Sequence, residues 1–354
     1  MTKKVLVDLS ALSNVNCGLG VVAQNYGRWF GKNPDLGFEV NLLLPRKYFG
    51  AFGDKVKYVE CKSICKRFTF LLPKFDLWHA TNQLSRFKPC FYSSKYVLTI
   101  HDLNFLYEEN NEKNIAHQLS KIQRKINHAK RIVAISQYTK RDIEKHLNLR
   151  GKRIDVIYSG IEEISSNGEA KPKFPIDESK PFLFSIGQIC EKKNFHVLFE
   201  AMKLMPQYNL YIAGQKQPGY TKKIEQIIRE KYINNAFLVG EISHEEKLWY
   251  YNHCRAFVFP SLVEGFGAPI IEAMYFRKPV ISSAETSLSE VGGKHVFFME
   301  NFRPEHIKQV TEVGIAKFDA EPQRAQAEFE YAKTFSYNNH LRQYAKIYQE
   351  LLAK

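Results

Sequence analysis

Short apolar runs alternate with longer stretches of helical periodicity along most of the chain. In the first half the strand-like runs are KVLVDLS, FEVNLLLP, DLWHAT, KYVLTIHD, RIVAIS and IDVIYSG. Between them lie helix-like stretches: LGVVAQNYGRWF, the residues around 112–130, and SQYTKRDIEKHL. The last of these opens at Ser136, a residue type that caps helix N-termini. Apolar strands that alternate with helices predict a parallel sheet with helices on both faces.

A polar segment, SSNGEAKPKFPIDESK, separates this half from a second alternation. It spans residues 165–180, holds two prolines and one glycine and shows no periodicity, so we predict an interdomain linker. The strand-like runs that follow are PFLFSIG, YNLYIAG, AFLVG, RAFVFP and KPVISS. The sequence therefore predicts an α/β fold of two Rossmann-like, doubly wound domains, residues 1–164 and 181–335. An amphipathic C-terminal helix over residues 336–354 follows them.

Length and composition agree with this organisation. The 354 residues and the hydrophobic content of 44% suit two domains with buried cores. No run approaches the ~18 apolar residues of a membrane span, and the first residues lack the layout of a signal peptide, which predicts a cytoplasmic protein. The six cysteines are scattered and no Asp-x-Asp sequence occurs, so we predict reduced thiols, no metal and no cofactor.

The positive charge of the chain is concentrated in its first half. The formal net charge is +14. Residues 1–150 hold 25 Lys and Arg against 12 Asp and Glu, whereas the remaining residues hold 26 against 25. This asymmetry predicts that the first domain faces a polyanion, for which nucleic acid and an anionic membrane surface are both candidates.

Candidate binding residues follow the first strand of the second domain. Ligands of open α/β sheets bind beyond the carboxyl ends of the strands, so two such domains predict a cleft in which these ends face each other. In SIGQICEKKNF, Gly187 permits a tight turn after the strand. Lys192 and Lys193 lie where the next helix is predicted to begin. Two ammonium groups beside a helix N-terminus predict a diphosphate site. A solvated surface pair of lysines is the alternative on these residues alone.

Two glutamates flank a glycine bend in SLVEGFGAPIIEAM, residues 261–274. Glu264 precedes the bend and Glu272 follows it, with a helix predicted to start near Ala268. Gly265 and Gly267 leave backbone amides accessible, and a carboxylate accepts two hydrogen bonds from a vicinal diol. The mixture of acceptors and donors predicts a site for a polyhydroxylated ligand. The alternative for Glu272 is that it complements the helix dipole.

In the first domain two further stretches follow strands. Gly18 and Gly20 open the first helix in SNVNCGLGVVAQ, as a loop that approaches phosphate would, although glycine turns after strands are ordinary. His101 and Asp102 end a strand in TIHDLNF, where a histidine can bond a ligand hydroxyl or meet developing charge. A structural role for His101 is the alternative.

These motifs together resemble family 4 of the retaining glycosyltransferases, which have the GT-B fold. The resemblance rests on GQICEKKNF, SLVEGFGAPIIEAM and KPVISSAETSLSEVGG in the second domain. WHATNQLSRFKP, LTIHDLNFL, RIVAISQYTKRDI and DVIYSGIE in the first domain resemble the branch of capsule and O-antigen mannosyltransferases. The resemblance spans residues 5 to about 340, and it implies that the C-terminal helix crosses back onto the first domain.

The resemblance implies roles for the second-domain residues. Glu264 would hold hydroxyls of the donor sugar, with the backbone amides of Phe266 and Gly267. Glu272 would hold the ribose diol of the nucleotide. Lys193 matches the family lysine that binds the donor diphosphate.

It also implies roles in the flanking loops. Gln188 stands where many members carry Arg, so we expect Lys192 to supply the missing charge. The loop of Gly18 and Gly20 would approach the diphosphate from the first domain, and His101 would lie near the reacting centre.

The resemblance predicts a metal-independent transferase that moves a sugar from a nucleotide-sugar donor, with GDP-mannose favoured, to a glycan or polyprenyl-linked acceptor. Residues 55–75, KVKYVECKSICKRFTFLLPKF, interleave cations with aromatics and suit an anionic membrane surface. A solvated basic face over buried aromatics is the alternative. No nucleic-acid-binding motif is present, so we predict no nucleic-acid partner. The competing functions are an epimerase or phosphorylase of similar fold, an inactive glycan-binding relative, and a basic nucleic-acid-binding relative.

Overall fold

The computed structural model describes residues 2–15, 17–87, 95–162 and 168–353. The chain divides into two compact units, Met1–Glu162 with Phe335–Lys354, and Glu163–Thr334. Of the predicted linker, residues 165–167 lie outside the described residues. Residues 168–180 hold neither helix nor strand.

The first unit is built on a seven-stranded parallel sheet with the strand order β3-β2-β1-β4-β5-β6-β7. Its strands are buried runs of apolar residues, because a parallel sheet is covered on both faces. They are β1 (Lys4–Asp8), β2 (Glu39–Leu44), β3 (Lys57–Glu60), β4 (Leu77–Ala80), β5 (Lys95–Ile100), β6 (Arg131–Ala134) and β7 (Ile154–Val156).

Helices follow most of these strands. They are α1 (Gly18–Lys32), α2 (Phe105–Glu108), α3 (Glu112–His128) and α4 (Gln137–His146). Ser136 caps α4 as predicted, since its hydroxyl accepts the Thr139 backbone N–H at 3.0 Å. Asn111 caps α3 in the same way, with its side-chain oxygen 3.0 Å from the backbone nitrogen of Lys113.

The second unit repeats this architecture on a six-stranded parallel sheet with the order β10-β9-β8-β11-β12-β13. The strands are β8 (Phe182–Ile186), β9 (Asn209–Ala213), β10 (Ala236–Gly240), β11 (Ala256–Phe259), β12 (Val280–Ser283) and β13 (Phe297–Met299). The helices are α5 (His196–Lys203), α6 (Pro218–Glu230), α7 (His244–His253), α8 (Ala268–Tyr275), α9 (Leu288–Gly292), α10 (Pro304–Ala320) and α11 (Pro322–Lys333).

The last helix, α12 (Tyr337–Ala353), belongs to the first unit and packs against α1 and β4. Its apolar face joins the core that covers one side of the first sheet, through Leu341, Tyr344 and Tyr348. The prediction of an α/β protein with two doubly wound parallel sheets is confirmed. A membrane-crossing helix would need a long apolar stretch, and none of the helices in the described ranges has one.

A buried polar network fixes α12 to the unit. His340 Nδ1 lies 2.6 Å from the carbonyl oxygen of Tyr158, which can only accept, so Nδ1 donates and Nε2 accepts from the Tyr26 hydroxyl at 2.8 Å. Burial lowers the pKa of His340 to about 4, against the opposing effect of the Tyr158 carbonyl. The Tyr348 hydroxyl lies 2.5 Å from Nδ1 of His79 on β4. The helix is therefore held by directional contacts as well as by apolar burial.

Candidate active site

Lys193 lies at the carboxyl end of β8 in a single 3₁₀ turn, Glu191–Lys193, that precedes α5. Its Nζ forms an ion pair with Glu264 Oε1 and lies 5.0 Å from the centre of the Phe259 ring. Gly187 has φ 153°, and a Cβ there would lie 3.2 Å from Cε of Lys193, so this glycine leaves room for the lysine side chain. The predicted lysine is thus a largely buried group directed at the predicted glutamate.

Lys192 is half-buried, and its backbone carbonyl connects the two loops of the site. It accepts the backbone N–H of Leu262 at 2.8 Å and the Ser261 hydroxyl at 3.2 Å. Both lysines lie in the 3₁₀ turn rather than in the first turn of α5, which begins at His196. The expectation that the pair stands at the start of the helix is therefore corrected by a few residues, because Asn194 adopts a left-handed conformation between turn and helix.

Glu264 is fixed through both its side chain and its backbone. The Ser261 hydroxyl donates to Oε1 at 2.7 Å, on the same oxygen that Lys193 contacts. The Glu264 backbone N–H donates to the Thr286 hydroxyl at 3.0 Å, and its carbonyl accepts the Ser287 hydroxyl at 2.9 Å. The side chains of Lys193 and Glu264 are 11% and 13% exposed. A ligand at this site would meet a carboxylate whose position is already set.

The glycine bend leads directly into α8, which starts at Ala268 as predicted. Gly267 precedes the helix with φ 88°, and a Cβ there would lie 2.4 Å from Leu288 Cδ2. Gly265 and the side chain of Phe266 are buried. The bend therefore requires glycine at position 267 for conformation and for space.

Glu272 lies on α8 and receives two hydrogen bonds from α7. Lys247 Nζ lies 3.1 Å from Oε1, and the Tyr251 hydroxyl donates to Oε2 at 2.9 Å. Burial and the negative charge of Glu272 raise the pKa of Tyr251 well above its ordinary value, so this hydroxyl keeps its proton and acts as the donor. Ser243 starts α7 with a capping box, which sets where these two side chains project.

The predicted first-domain residues occupy two places in the first unit. Gly20 lies in α1, where a Cβ would lie 2.1 Å from the carbonyl oxygen of Asn14, whereas a Cβ at Gly18 would point into open space among the described residues. His101 follows β5 and is buried, with Nε2 donating to the Thr81 carbonyl oxygen at 2.9 Å. Burial lowers its pKa, and the Thr81 carbonyl and the Asp102 charge partly offset that effect. His101 is therefore a neutral imidazole.

A cavity of about 510 Å³ lies beyond the carboxyl ends of β1 to β4. The strand order reverses between β1 and β4, which is where doubly wound sheets bind ligands. Among the described residues, the cavity wall carries two cationic side chains, Lys66 and Arg86, and no acidic one. It is lined by Ser10, Ala11, Ser13, Asn14, Cys17, Leu19, Pro45, Cys61, Ser63, Lys66, Asn82, Leu84, Ser85, Arg86 and Phe87.

Buried Asp8 and partly buried Lys125 support the loop that forms one wall of this cavity. Asp8, at the end of β1, accepts hydrogen bonds from the Ser85 hydroxyl and from the backbone N–H of Ser10. Lys125 Nζ donates to the carbonyl oxygens of Gln83 at 2.5 Å and of Ser85 at 2.6 Å. Burial raises the pKa of Asp8 and lowers that of Lys125 to about 8. These residues hold the loop after β4 in place.

Comparison with known proteins identifies the family. Residues 166–313 match the profile named Glycosyl transferases group 1, and residues 20–163 match Glycosyltransferase Family 4. The chain belongs to the glycosyltransferase family that these two profiles together describe. The glycosyltransferase profiles thus divide between the two units at almost the same place as the fold does.

The relatives of this chain include mannosyltransferases. It is 28% identical to the serotype-specific mannosyltransferase WbdA of Escherichia coli over 221 residues, 56% of this chain and 26% of that protein. It therefore spans about a quarter of the length of WbdA. It is 27% identical to the O-antigen chain mannosyltransferase B of E. coli over 295 residues, 77% of this chain and 69% of that protein.

Solved structures establish the fold. Sucrose-phosphate synthase of Thermosynechococcus elongatus superposes with a TM-score of 0.76 at 16% identity, over 100% of both chains. At this identity the likeness shows the shared GT-B fold alone.

The structure brings together Lys193 and Glu264, and it places Glu272 on the helix that follows the glycine bend. Gly18, Gly20 and His101 lie in the first unit. Sequence reasoning missed Lys247 and Tyr251, which share one face of α7 four residues apart. The spacing of four residues indicates that they share a helix face. The residue that they contact could not be predicted, because it depends on how α7 packs beside α8.

The basic segment after β3 divides into a buried and an exposed part. Leu72 and Phe75 of this segment belong to the core of the first unit. Phe70 is 73% exposed and Leu71 52% exposed. Leu84, on the rim of the cavity described above, is also exposed. Apolar side chains therefore face solvent beside a basic cavity.

Proposed function

We propose that this protein transfers a sugar from a nucleoside-diphosphate sugar to a glycan or polyprenyl-linked acceptor, with retention of anomeric configuration, in the synthesis of a surface polysaccharide. One observation supports the proposal most directly. Lys193 and Glu264 are 71 residues apart in the chain, and their side chains form an ion pair where the glycine bend begins. The names of the two E. coli relatives favour mannose as the sugar, and hence GDP-mannose as the donor.

Lys193 is the group that we assign to the donor diphosphate. An ammonium group has three N–H donors, and Glu264 occupies one of them, which leaves two for phosphate oxygens. As the bond from the anomeric carbon to the diphosphate breaks, negative charge grows on the leaving oxygen. A fixed ammonium group stabilises that charge without reorganising. We assign the second positive charge at the diphosphate to Lys192.

Glu264 is assigned to hydroxyl groups of the donor sugar. Its Oε1 already accepts from Ser261 and Lys193, so Oε2 is the oxygen that we assign to the sugar. The departing phosphate takes the proton of the acceptor hydroxyl, so that the new bond forms on the face that the diphosphate leaves. Glu272 is assigned to accept hydrogen bonds from the ribose diol, and His101, a neutral imidazole of the first unit, is assigned to the reacting sugar.

The cavity of the first unit is the acceptor site in this proposal. Its lining offers hydroxyl and amide groups for sugar hydroxyls, and Lys66 and Arg86 for a phosphate group. Asp8 and Lys125 fix the wall that carries Arg86. The acceptor is therefore a polar molecule with an anionic group.

We also propose that the first unit lies on an anionic membrane surface, at the cytoplasmic face. Exposed Phe70 and Leu71 stand among Lys62, Lys66 and Arg67, a combination that suits the boundary between headgroups and acyl chains. Flotation with vesicles of phosphatidylglycerol and phosphatidylcholine tests this. The wild type should float at low salt, and Phe70→Ser with Leu71→Ser should not.

A matched control is Tyr232→Ser, which removes a highly exposed aromatic side chain from the second unit. This variant should float as the wild type does. Equal flotation of all three proteins, or none by the wild type, would refute the membrane proposal and leave the transferase proposal standing.

Transfer itself is tested with a panel of nucleotide sugars, including GDP-mannose, and membrane lipid extract as acceptor. The product is detected by mass spectrometry, and its anomeric configuration by NMR. Glu264→Gln should lose most turnover while donor binding falls less. Glu200→Gln, at a surface ion pair with Lys231 in the same unit, should retain both.

Two outcomes would refute the proposed function. Failure of every nucleotide sugar to bind would remove the donor site. Conversion of a nucleotide sugar without any transfer to an acceptor would indicate an epimerase or a hydrolase instead. Unchanged turnover in Glu264→Gln would remove this residue from the mechanism.

A further inference from the structure

Glu272 is held from one side by two donors on the same helix. Lys247 bonds Oε1 and Tyr251 bonds Oε2, so each carboxylate oxygen has one donor from α7. The Tyr251 ring is buried and stacks on Phe276 with ring centres 5.4 Å apart. The tyrosine side chain is therefore held in one position, and its hydrogen bond to Oε2 orients the Glu272 carboxylate.

The Glu272 carboxylate can accept further hydrogen bonds on the side that faces away from α7. A carboxylate has about four acceptor positions, of which the two donors fill one on each oxygen. The side chains of Lys247 and Glu272 are 21% and 19% exposed, so the pair lies at the surface of the unit rather than inside it. The remaining acceptor positions, one on each oxygen, match the two hydroxyl groups of a vicinal diol.

The same arrangement balances charge. Glu264 and Glu272 are the two carboxylates of the candidate site, and an anionic nucleotide would be repelled by both. Each is paired with a lysine, Glu264 with Lys193 and Glu272 with Lys247. Lys247 thus cancels the charge that Glu272 would otherwise present to a diphosphate.

We propose that Lys247 and Tyr251 are positioning residues that hold Glu272 for a ribose diol, so that the site selects ribonucleotides over 2′-deoxyribonucleotides. This inference rests on the proposed function, which assigns Glu272 to the nucleotide. Tyr251 supplies orientation alone, whereas Lys247 supplies both orientation and charge. The two contributions are therefore separable by substitution.

Calorimetric titration of the full chain with GDP and 2′-deoxy-GDP, and with UDP and 2′-deoxy-UDP, tests the inference. A 2′-deoxy nucleotide loses one hydrogen bond to a charged acceptor, so the wild type should bind it at least ~10-fold more weakly. In Tyr251→Phe that ratio should fall below about threefold at any salt concentration, because the ribonucleotide should bind at least ~3-fold more weakly while the 2′-deoxy nucleotide changes little.

Lys247→Met should lower the ratio and also weaken both nucleotides, by roughly 10-fold at low salt. This second loss should shrink as salt rises, because the repulsion from an unpaired Glu272 is screened. Lys247→Arg should restore binding and most of the ratio. Lys231→Met, which breaks the surface pair with Glu200 in the same unit, is the matched control and should change neither.

The outcomes distinguish the two proposals. If neither ribonucleotide binds the wild type, the proposed function fails, and this inference fails with it. If a ribonucleotide binds but the ratio is the same in the wild type, Tyr251→Phe and Lys247→Met, the inference alone is wrong. A lower melting temperature with an unchanged ratio would show that the two residues serve only the packing of α7.

Discussion

Replacement of Lys193 by Met would test the central contact of the second unit. Lys193 and Glu264 are 11% and 13% exposed, and removal of Lys193 leaves the Glu264 carboxylate with the Ser261 hydroxyl as a donor and without its compensating charge. Breaking a buried ion pair costs ~3–5 kcal/mol, and the small remaining exposure places this pair near the lower end, ~3 kcal/mol. For a unit of this size that loss lowers the melting temperature by roughly 6–12 °C.

The double variant Lys193→Met with Glu264→Gln separates stability from chemistry. It removes the uncompensated charge together with its partner, so the free energy of unfolding should return to within about 1 kcal/mol of the wild type. Turnover should not return, because the cation assigned to the leaving diphosphate is still absent. Loss of one such stabilising group typically lowers the rate by ~10²–10³.

Thermal unfolding and sugar transfer are measured on the wild type, both single variants and the double variant. Additive stability losses would refute the ion pair as a coupled contact in the folded protein. Full turnover in Lys193→Met would refute its role in transfer. Lys231→Met, at an exposed pair, should change stability by less than about 1 kcal/mol and turnover not at all.

Three further predictions follow from other parts of the structure. His340 stays neutral in the folded state while the unfolded state gains a proton below its ordinary pKa, so stability rises with pH in this range. Lowering the pH from about 8 to 5 should therefore lower the free energy of unfolding by ~2 kcal/mol through this residue, and urea titrations of His340→Gln should lack that part of the change. Gly267→Ala should lose ~1–3 kcal/mol in the same assay, because its φ is positive and a Cβ meets Leu288, and normal stability would contradict the strained bend. Lys125→Met should raise the KM for the acceptor several-fold through a loosened cavity wall while the Kd of the donor nucleotide stays unchanged, and a matching change in the donor Kd would contradict the assignment of that cavity.

Periodicity was sufficient for the buried strands and for the capped helices. The run VLVD in β1 and the capped stretch after Ser136 carry strong local signals, since burial on both faces and a side-chain cap leave a mark in the sequence. The strands β3 and β13 were missed. Each lies at the edge of its sheet and is only partly buried, so its residues lack a continuous apolar run. The helices α10 and α11 were also missed. The prediction rested on the alternation of strands with helices, and these two helices follow one another with no strand between them.

In the candidate site, too, the residues with a local sequence motif could be predicted and the contacts between distant elements could not. The sequence predicted Lys193 and Glu264 from their motifs, and a motif names residues whose contacts the fold then determines. It could not predict that Lys247 meets Glu272, because that contact depends on the packing of two helices. Nor could it distinguish Phe70 from Phe75, since both stand among basic residues and only the first is exposed.

The placement of α12 has a consequence for the order of events during synthesis. The second unit is one continuous segment, whereas the first unit is completed by residues 335–353, which the ribosome makes only after the whole of the second unit. Because domains generally fold as units while the chain emerges, we expect the second unit to close first. Until α12 emerges, Tyr26 and the surface around it stay uncovered, so the nascent first unit is the part of this chain that a chaperone would meet.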